Sequence, residues 1–402
     1  MLSTFYRRHL RGLFESGPST DARIAIVGVG GGGGNAINNM VEKGIGGADF
    51  IAINTDSQDL ASNKADYHVQ IGRDATGGLG AGARPEVGAK AVEESREQIE
   101  HVIEPYDMVF ITAGMGGGTG TGGAPGVASI ARELDILTLG IVTRPFTCEG
   151  PRRRKAARQG IEKLRVHADT LLVIPNDRLL DLAGNDTSLK EGFWMADEVL
   201  YDATRGIVDL ITHEGLINLD FADVETTMKD GGMALLGMST QYTIPGSQAP
   251  NVRVRRRDDE ASQSDADSEN PSEKAAIEAV SSPLFDGQSI QGADEVLVNV
   301  TGDSSLGFRE AMSAIEVVQE RAGEDCDVIF GAILDEDMDS HFRVTVIATG
   351  LDDDQAADSV SGPEPTKFVE PSNHGPALSP EEEVASFFLE NGNGEERENQ
   401  NA

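Results

Sequence analysis

The chain has 402 residues, 68 of them acidic and 33 basic, for a formal net charge of −35 at pH 7. Such a surface repels phosphate backbones, which excludes general nucleic-acid binding, and its self-repulsion is screened well only at molar salt. No stretch of about 18 apolar residues occurs, so no membrane-spanning helix is expected. Cys148 and Cys326 are too few for a disulfide framework or a cysteine metal cluster, which suits a reduced, cytoplasmic setting.

Residues 1–21 read as an extension. Leu2, Phe5, Tyr6, His9, Leu10, Leu13 and Phe14 fall near helical spacing, with Arg7, Arg8 and Arg11 among them. That pattern suits binding to a membrane surface or a partner, set against an extension that is disordered or docked onto the chain itself. From 22 to about 189 short apolar strands alternate with helical stretches. The strands are expected at 23–28, 49–53, 68–71, 107–113, 136–143 and 169–174, with helices such as Glu86 to Val102 and Arg154 to Leu164. Alternation of this kind predicts an α/β fold with a Rossmann-type, doubly wound, mainly parallel sheet. A long central helix follows over 190–212. Residues 213–350 then supply strands at 232–238, 294–300, 327–333 and 342–350 and a helix from Leu306 to about Glu320, enough for a second α+β domain. Within it, 241–272 pairs an arginine cluster (Arg253, Arg255, Arg256, Arg257) with an acidic, serine-rich run, a composition expected to stay disordered. Residues 351–380 read as a linker, and 381–402 as a tail with the apolar patch Val384 to Leu389 behind Glu381-Glu382-Glu383.

Two glycine runs carry the chemistry. The first, Gly28-Val29-Gly30-Gly31-Gly32-Gly33-Gly34-Asn35, follows the first strand and precedes a helix through about Lys43. The second, Gly114-Met115-Gly116-Gly117-Gly118-Thr119-Gly120-Thr121-Gly122-Gly123, follows the strand at 107–113 and precedes another helix. Strand, glycine loop and helix N-terminus together free backbone N–H groups for an anion, and Thr119 and Thr121 add hydroxyls. Gly28, Gly30 and Gly33 also satisfy the dinucleotide fingerprint, so an oxidoreductase remains open on these residues alone. Neither run ends in Gly-Lys-Ser/Thr, so no P-loop lysine is present. Two cradles suit a nucleoside di- or triphosphate gripped from both sides.

With these motifs the chain resembles the tubulin/FtsZ family. Gly116 to Gly122 is similar to that family's signature loop and Gly31 to Asn35 to its first phosphate loop. Asn218-Leu219-Asp220-Phe221-Ala222-Asp223 is similar to the acidic loop that completes a neighbouring subunit's site. The resemblance covers roughly residues 22–350, less the insert. It implies a GTP-binding, GTP-hydrolysing cytoskeletal protein that forms head-to-tail homopolymers and the division ring at midcell. GTP and GDP are then the ligands, with Mg²⁺ carried mainly by the nucleotide. Together with the charge, it points to the cytoplasm of a halophilic archaeon.

The implied nucleotide contacts are Gly31, Gly32, Gly33, Gly34 and Asn35 in the first run, and Gly117, Gly118, Thr119, Gly120, Thr121 and Gly122 in the second. Glu149 and Arg153 are implied at the ribose or phosphates, though at i,i+4 they also read as a surface ion pair. Asn176 and Asp197 would read guanine, with Phe193 stacking on the base; taken alone, Asp197 reads as solvated and Phe193 as core. Asp220 and Asp223 share one face if a helix starts near Asp220, and there the helix dipole keeps them ionised to hold water, with Asn218 orienting it. Asp220 reads equally well as an N-cap. The tail at 381–402 is loosely similar to the family's terminal peptide, which docks on a membrane-anchoring division adaptor; the usual proline is missing.

Overall fold

This computed structural model describes residues 22–182, 187–212, 217, 219–239, 242–243, 271–339 and 341–351. The expectations for the N-terminal extension, for most of the 241–272 insert, for Asn218 and for the tail lie outside the described residues.

In chain order the elements are β1 (Ile24–Val29), α1 (Gly30–Lys43), β2 (Ala48–Asn54), α2 (Ser57–Ala61), β3 (Tyr67–Gln70), α3 (Arg73–Thr76), α4 (Pro85–Glu94), α5 (Arg96–Ile103), β4 (Met108–Gly114), α6 (Thr119–Glu133), β5 (Leu137–Arg144), α7 (Pro151–Arg165), β6 (Thr170–Pro175), α8 (Asn176–Leu182) and α9 (Leu189–Thr212). The second part holds α10 (Phe221–Met228), β7 (Gly232–Met238), β8 (Tyr242–Thr243), α11 (Pro271–Val280), β9 (Glu295–Gly302), α12 (Phe308–Ala322), β10 (Asp327–Leu334) and β11 (His341–Thr349).

The strands form one sheet in the order β10-β9-β11-β7-β6-β5-β4-β1-β2-β3, with β8 added to β11. From β3 across to β7 every pairing is parallel. Parallel strands are covered on both faces, so they read as unbroken apolar runs; all six residues of β1 are buried. The turning point is β7. Gly232, Met233 and Ala234 pair parallel with β6, whereas Leu235 to Met238 pair antiparallel with β11. One strand thus serves both parts of the fold, a continuity that hydrophobic patterning does not reveal.

Two local departures from the sequence reading have clear causes. The helix expected from Glu86 to Val102 is two helices, broken at Ser95 (φ −110°, ψ 18°), whose Oγ accepts the Gly72 N–H at 3.1 Å. A short hydroxyl side chain competes with helical geometry for the local backbone. The first glycine run is not a loop before a helix but the first turn of α1 itself.

The central helix α9 is anchored to the second part by charge and close packing. Arg205 bonds Asp209 at 2.8 Å, Asp335 at 2.6 Å and the Tyr201 hydroxyl at 2.9 Å, and Arg343 reaches Asp202 at 2.9 Å. Asn299 Nδ2 donates to the Gly206 carbonyl at 2.9 Å. Nearer the ends of β5 and β6, Asp286 accepts from Arg144 at 2.6 Å and from Arg178 at 2.7 Å. Burial alone would raise the Asp286 pKa, but the two guanidiniums outweigh it and hold the carboxyl below its usual range.

Candidate nucleotide site

The carboxyl ends of β1, β4, β5 and β6, neighbours in the sheet, converge on one region. α1 starts directly after β1, and α6 follows β4 after a four-residue turn. Neither helix has a side-chain cap or an acid in its first turn. No side chain caps their first N–H groups, and no first-turn acid offsets the positive ends of the two dipoles.

The glycines divide by role. A Cβ on Gly30 would sit 2.7 Å from the Gly120 nitrogen, and one on Gly32 would sit 3.0 Å from the Gly114 nitrogen. A Cβ on Gly33 would lie 2.4 Å from the Thr112 carbonyl oxygen, and one on Gly120 would lie 2.9 Å from the Gly114 oxygen. These residues let the two N-termini press together. Gly118 and Gly122 likewise admit the chain at 81–89, the Gly122 position lying 1.9 Å from the Pro85 oxygen. Gly31 and Gly34 have looser surroundings, and nothing lies within 4 Å of a Cβ on Gly117. Gly31 and Asn35 are exposed. Room for a ligand is thus at Gly31, Gly34, Asn35 and Gly117.

The threonines brace the cradle. Thr121 Oγ1 accepts the Gly116 N–H at 2.8 Å, and Thr119 Oγ1 shares a hydrogen bond of 2.6 Å with Thr55 Oγ1. Both are buried, so in this state their hydroxyls are committed to the loop. Sequence reasoning missed Thr55, and it missed the loop that lies over Gly118. There Gly77, Gly78, Gly80, Gly82 and Ala83 all take positive φ, and a Cβ on Gly118 would meet the Arg84 nitrogen at 2.9 Å. The density of glycine at 77–82, just before a proline at the start of a helix, was the available signal.

After β5, Glu149 accepts the Phe146 N–H at 2.9 Å, and Arg153 bonds its other oxygen. The ion-pair reading of these two is what the free protein adopts. Arg153 remains half exposed and Glu149 nearly buried, at 52% and 12% side-chain exposure, so the guanidinium is the one open to a ligand.

The base-reading candidates carry the clearest unmet demand. Asn176, directly after β6, is buried, and its Oδ1 has no partner. Asp197 stands on α9 with no cation beside it; burial alone lifts its pKa to about 6. Phe193, one turn earlier, presents 43% of its surface, with its ring edge-on to buried Phe146 at 5.4 Å. It is neither solvated tip nor core but a free aromatic face on a fixed support.

The acids lie elsewhere. Asp220 caps α10: its Oδ1 accepts the Asp223 N–H at 2.8 Å, and Asp223 Oδ2 accepts the Asp220 N–H at 3.3 Å. Both side chains are exposed on one face, as their spacing predicts. At the far end of α10 the Met228 carbonyl accepts from Thr170, the first residue of β6, and Gly232 N–H bonds the Asp169 oxygen at 2.9 Å. The helix therefore joins the sheet where the parallel strands begin, and the glycine turns sit where they finish. One protomer does not bring the two together.

Comparison with known proteins closes the question of family. A model described as Tubulin/FtsZ family, GTPase domain, matches residues 23–184, and one described as FtsZ family, C-terminal domain, matches residues 262–352. An empty FtsZ dimer from M. jannaschii aligns with a TM-score of 0.73 and 40% identity, over 87% of this chain and 92% of the other. The chain belongs to the tubulin/FtsZ family. A tyrosine-substituted M. jannaschii FtsZ aligns equally well, with a TM-score of 0.75 and 40% identity over 87% and 96% of the two chains. CetZ2 from Haloferax volcanii, in a GTPγS-bound protofilament, shares the fold at TM-score 0.66 and 22% identity, over 84% and 96%. For this FtsZ-family chain the dinucleotide reading of Gly28, Gly30 and Gly33 falls away: Gly28 and Gly33 are packing glycines, a Cβ on Gly28 lying 2.5 Å from the Gly33 oxygen.

Proposed function

We propose that this chain binds GTP at the carboxyl ends of its parallel strands and hydrolyses it only within a head-to-tail homopolymer. The observation that carries the reading is the separation of parts. An anion cradle with unsatisfied base-reading groups lies at one end of the strands, and two exposed carboxylates lie on α10 at the other. Stacking one protomer on the next joins them, and a heterologous contact that does not close yields a filament. The M. jannaschii FtsZ dimer and the CetZ2 protofilament support polymer formation as a habit of the fold.

The backbone N–H groups of Gly31 to Gly34 and of Gly117 to Gly120 hold the phosphates. Arg153 leaves Glu149 to meet phosphate or ribose, which releases Glu149 for a ribose hydroxyl. Asn176 and ionised Asp197 meet the donor edge of guanine, and Phe193 stacks on its face. In the filament, Asp223 of the neighbouring protomer takes a proton from water as its oxygen attacks the terminal phosphorus and the bond from that phosphorus to the bridging oxygen breaks, leaving GDP and inorganic phosphate, with Asp220 and Asn218 orienting the water. A magnesium ion would be carried mainly by the phosphate oxygens of the nucleotide. Bound there, Mg²⁺ neutralises charge on the phosphates.

The cellular role that follows is a cytoplasmic filament scaffolding the midcell division ring, with the segment at 381–402 reaching a membrane-anchoring adaptor. Deleting 381–402 is expected to abolish adaptor binding and leave turnover intact. The reading is tested by sedimentation in high KCl. Pelleting with GTP and dispersal with GDP is expected, and identical sedimentation with both nucleotides contradicts it.

A further inference from the structure

The join between α1 and α9 holds a polar device that the nucleotide reading leaves unused. Lys43, the last residue of α1, extends its ammonium to the Glu198 carboxylate. The same Nζ lies 4.6 Å from the centre of the Tyr201 ring and 5.3 Å from that of Trp194. Trp194, Glu198 and Tyr201 stand four and three residues apart, so they form one stripe of α9. Phe193 and Asp197 are each one residue earlier, on the adjoining stripe. The stripe that grips Lys43 and the stripe assigned to guanine are therefore two sides of one helical segment.

The other end of α1 is the glycine cradle. A rigid helix of 14 residues thus ties the phosphate end to the base-reading end through one cation. The pair is only partly solvated, with side-chain exposures of 29% for Lys43 and 27% for Glu198, so water does not simply replace it. Two further atoms at this join, Asn39 Nδ2 and Glu198 Oε2, are buried without partners. Removing the cation would leave the whole Glu198 carboxylate stranded beside Asp197, with a second negative charge one turn or less away and nothing to offset it.

We propose that Lys43 is a positioning residue for guanine recognition: it fixes the register of α9 against α1, and so the placement of Phe193 and Asp197 over the cradle. Lys43 itself touches no nucleotide. The inference rests on the GTP reading above, and its test separates the two.

Three ligands are titrated against the full chain, Lys43→Met and Lys43→Arg: GTP, inosine triphosphate (which lacks the guanine 2-amino group), and inorganic tripolyphosphate. Trp194, the only tryptophan, reports the packing of the stripe by its fluorescence. For Lys43→Met the preference for GTP over inosine triphosphate is expected to fall by about tenfold, as for a lost charged hydrogen bond, while tripolyphosphate affinity holds. Trp194 emission shifts in the same variant, and Lys43→Arg restores both preference and emission. An equal loss for all three ligands, or an unchanged preference in a Lys43→Met protein that melts normally, overturns the positioning role. A wild-type chain without preference for GTP overturns the guanine reading itself and takes the clamp with it.

Discussion

The two ends of the parallel strands are built on opposite rules. At the carboxyl ends, α1 and α6 begin on glycine and threonine without a side-chain cap or a first-turn acid, Asn176 Oδ1 is left without a partner, and burial raises the pKa of Asp197. α10, whose C-terminal end meets the amino end of β6, begins with a reciprocal pair of carboxylate caps and leaves no such demand. Unsatisfied buried polar groups and uncapped helices cost stability, of the order of 1 kcal/mol or more each, a cost that a ligand at the carboxyl ends would offset on the proposed reading. α10 caps itself and presents its acids outward. On the proposed reading, binding and cleavage are separable properties, one resident in the protomer and one supplied between protomers.

The largest break comes from filling the cradle's contact points. Gly33→Ala places a methyl 2.4 Å from the Thr112 carbonyl oxygen, a backbone atom that cannot move aside. Overpacking of this kind is expected to cost about 3 kcal/mol and to abolish nucleotide binding, read by thermal melting and by GTP titration.

Next in size is the loss of the acid at the other end. Asp223→Ala is expected to lower turnover by about 100-fold at unchanged GTP affinity, and to lower stability by about 1 kcal/mol through the lost cap. Asp220→Ser separates the two roles, because serine still caps while the carboxylate is gone. If Asp220→Ser turned over GTP like wild type, Asp220 would be a cap and nothing more.

Asp197 gives a smaller effect with a distinctive pH signature. Asp197→Asn is expected to weaken GTP binding by about tenfold to 100-fold, the cost of one hydrogen bond to a charged group. Because burial lifts the folded-state pKa to about 6 from its ordinary value of 3.8, the free protein holds this proton more tightly than the unfolded chain. Between those values the contribution of Asp197 to stability therefore falls as pH rises and grows as pH falls. GTP affinity moves the other way, dropping about tenfold per unit below pH 6 as the carboxylate is neutralised. Melting and binding curves with the same sign of pH dependence would remove Asp197 from the base site.

The mildest change sharpens the contrast within one loop. Gly117→Ala meets nothing within 4 Å, so stability should stay within about 0.5 kcal/mol of wild type. Any loss of GTP affinity at Gly117 then reports a ligand rather than a packing clash.

Much of this fold was legible because parallel strands and glycine turns leave strong local marks. The apolar runs at 107–113 and 136–143 and the glycines that follow β1 and β4 mark strands and turns directly, by burial on both faces and by freedom from a Cβ. What stayed hidden depends on distant pairing. Nothing in Gly232 to Met238 says that half the strand faces β6 and half β11. Ser95 does not announce that its hydroxyl will bond Gly72 and split a helix. At the site, the cradle could be derived from residue types, whereas Asn176, Phe193 and Asp197 followed only from family resemblance, because a lone amide, ring or acid on a helix has no local signature. Asp220 allowed both a cap and a catalytic reading, and the protomer displays the cap. The sequence also gave no hint that Thr119 and Thr121 would spend their hydroxyls on Thr55 and Gly116.

The shared site is tested most directly by GTP turnover per protomer measured across protein concentration in high KCl. Negligible turnover at dilution, rising steeply as filaments form and about 100-fold lower at every concentration in Asp223→Ala, is the predicted result. A constant rate per protomer from the most dilute sample upward would contradict it.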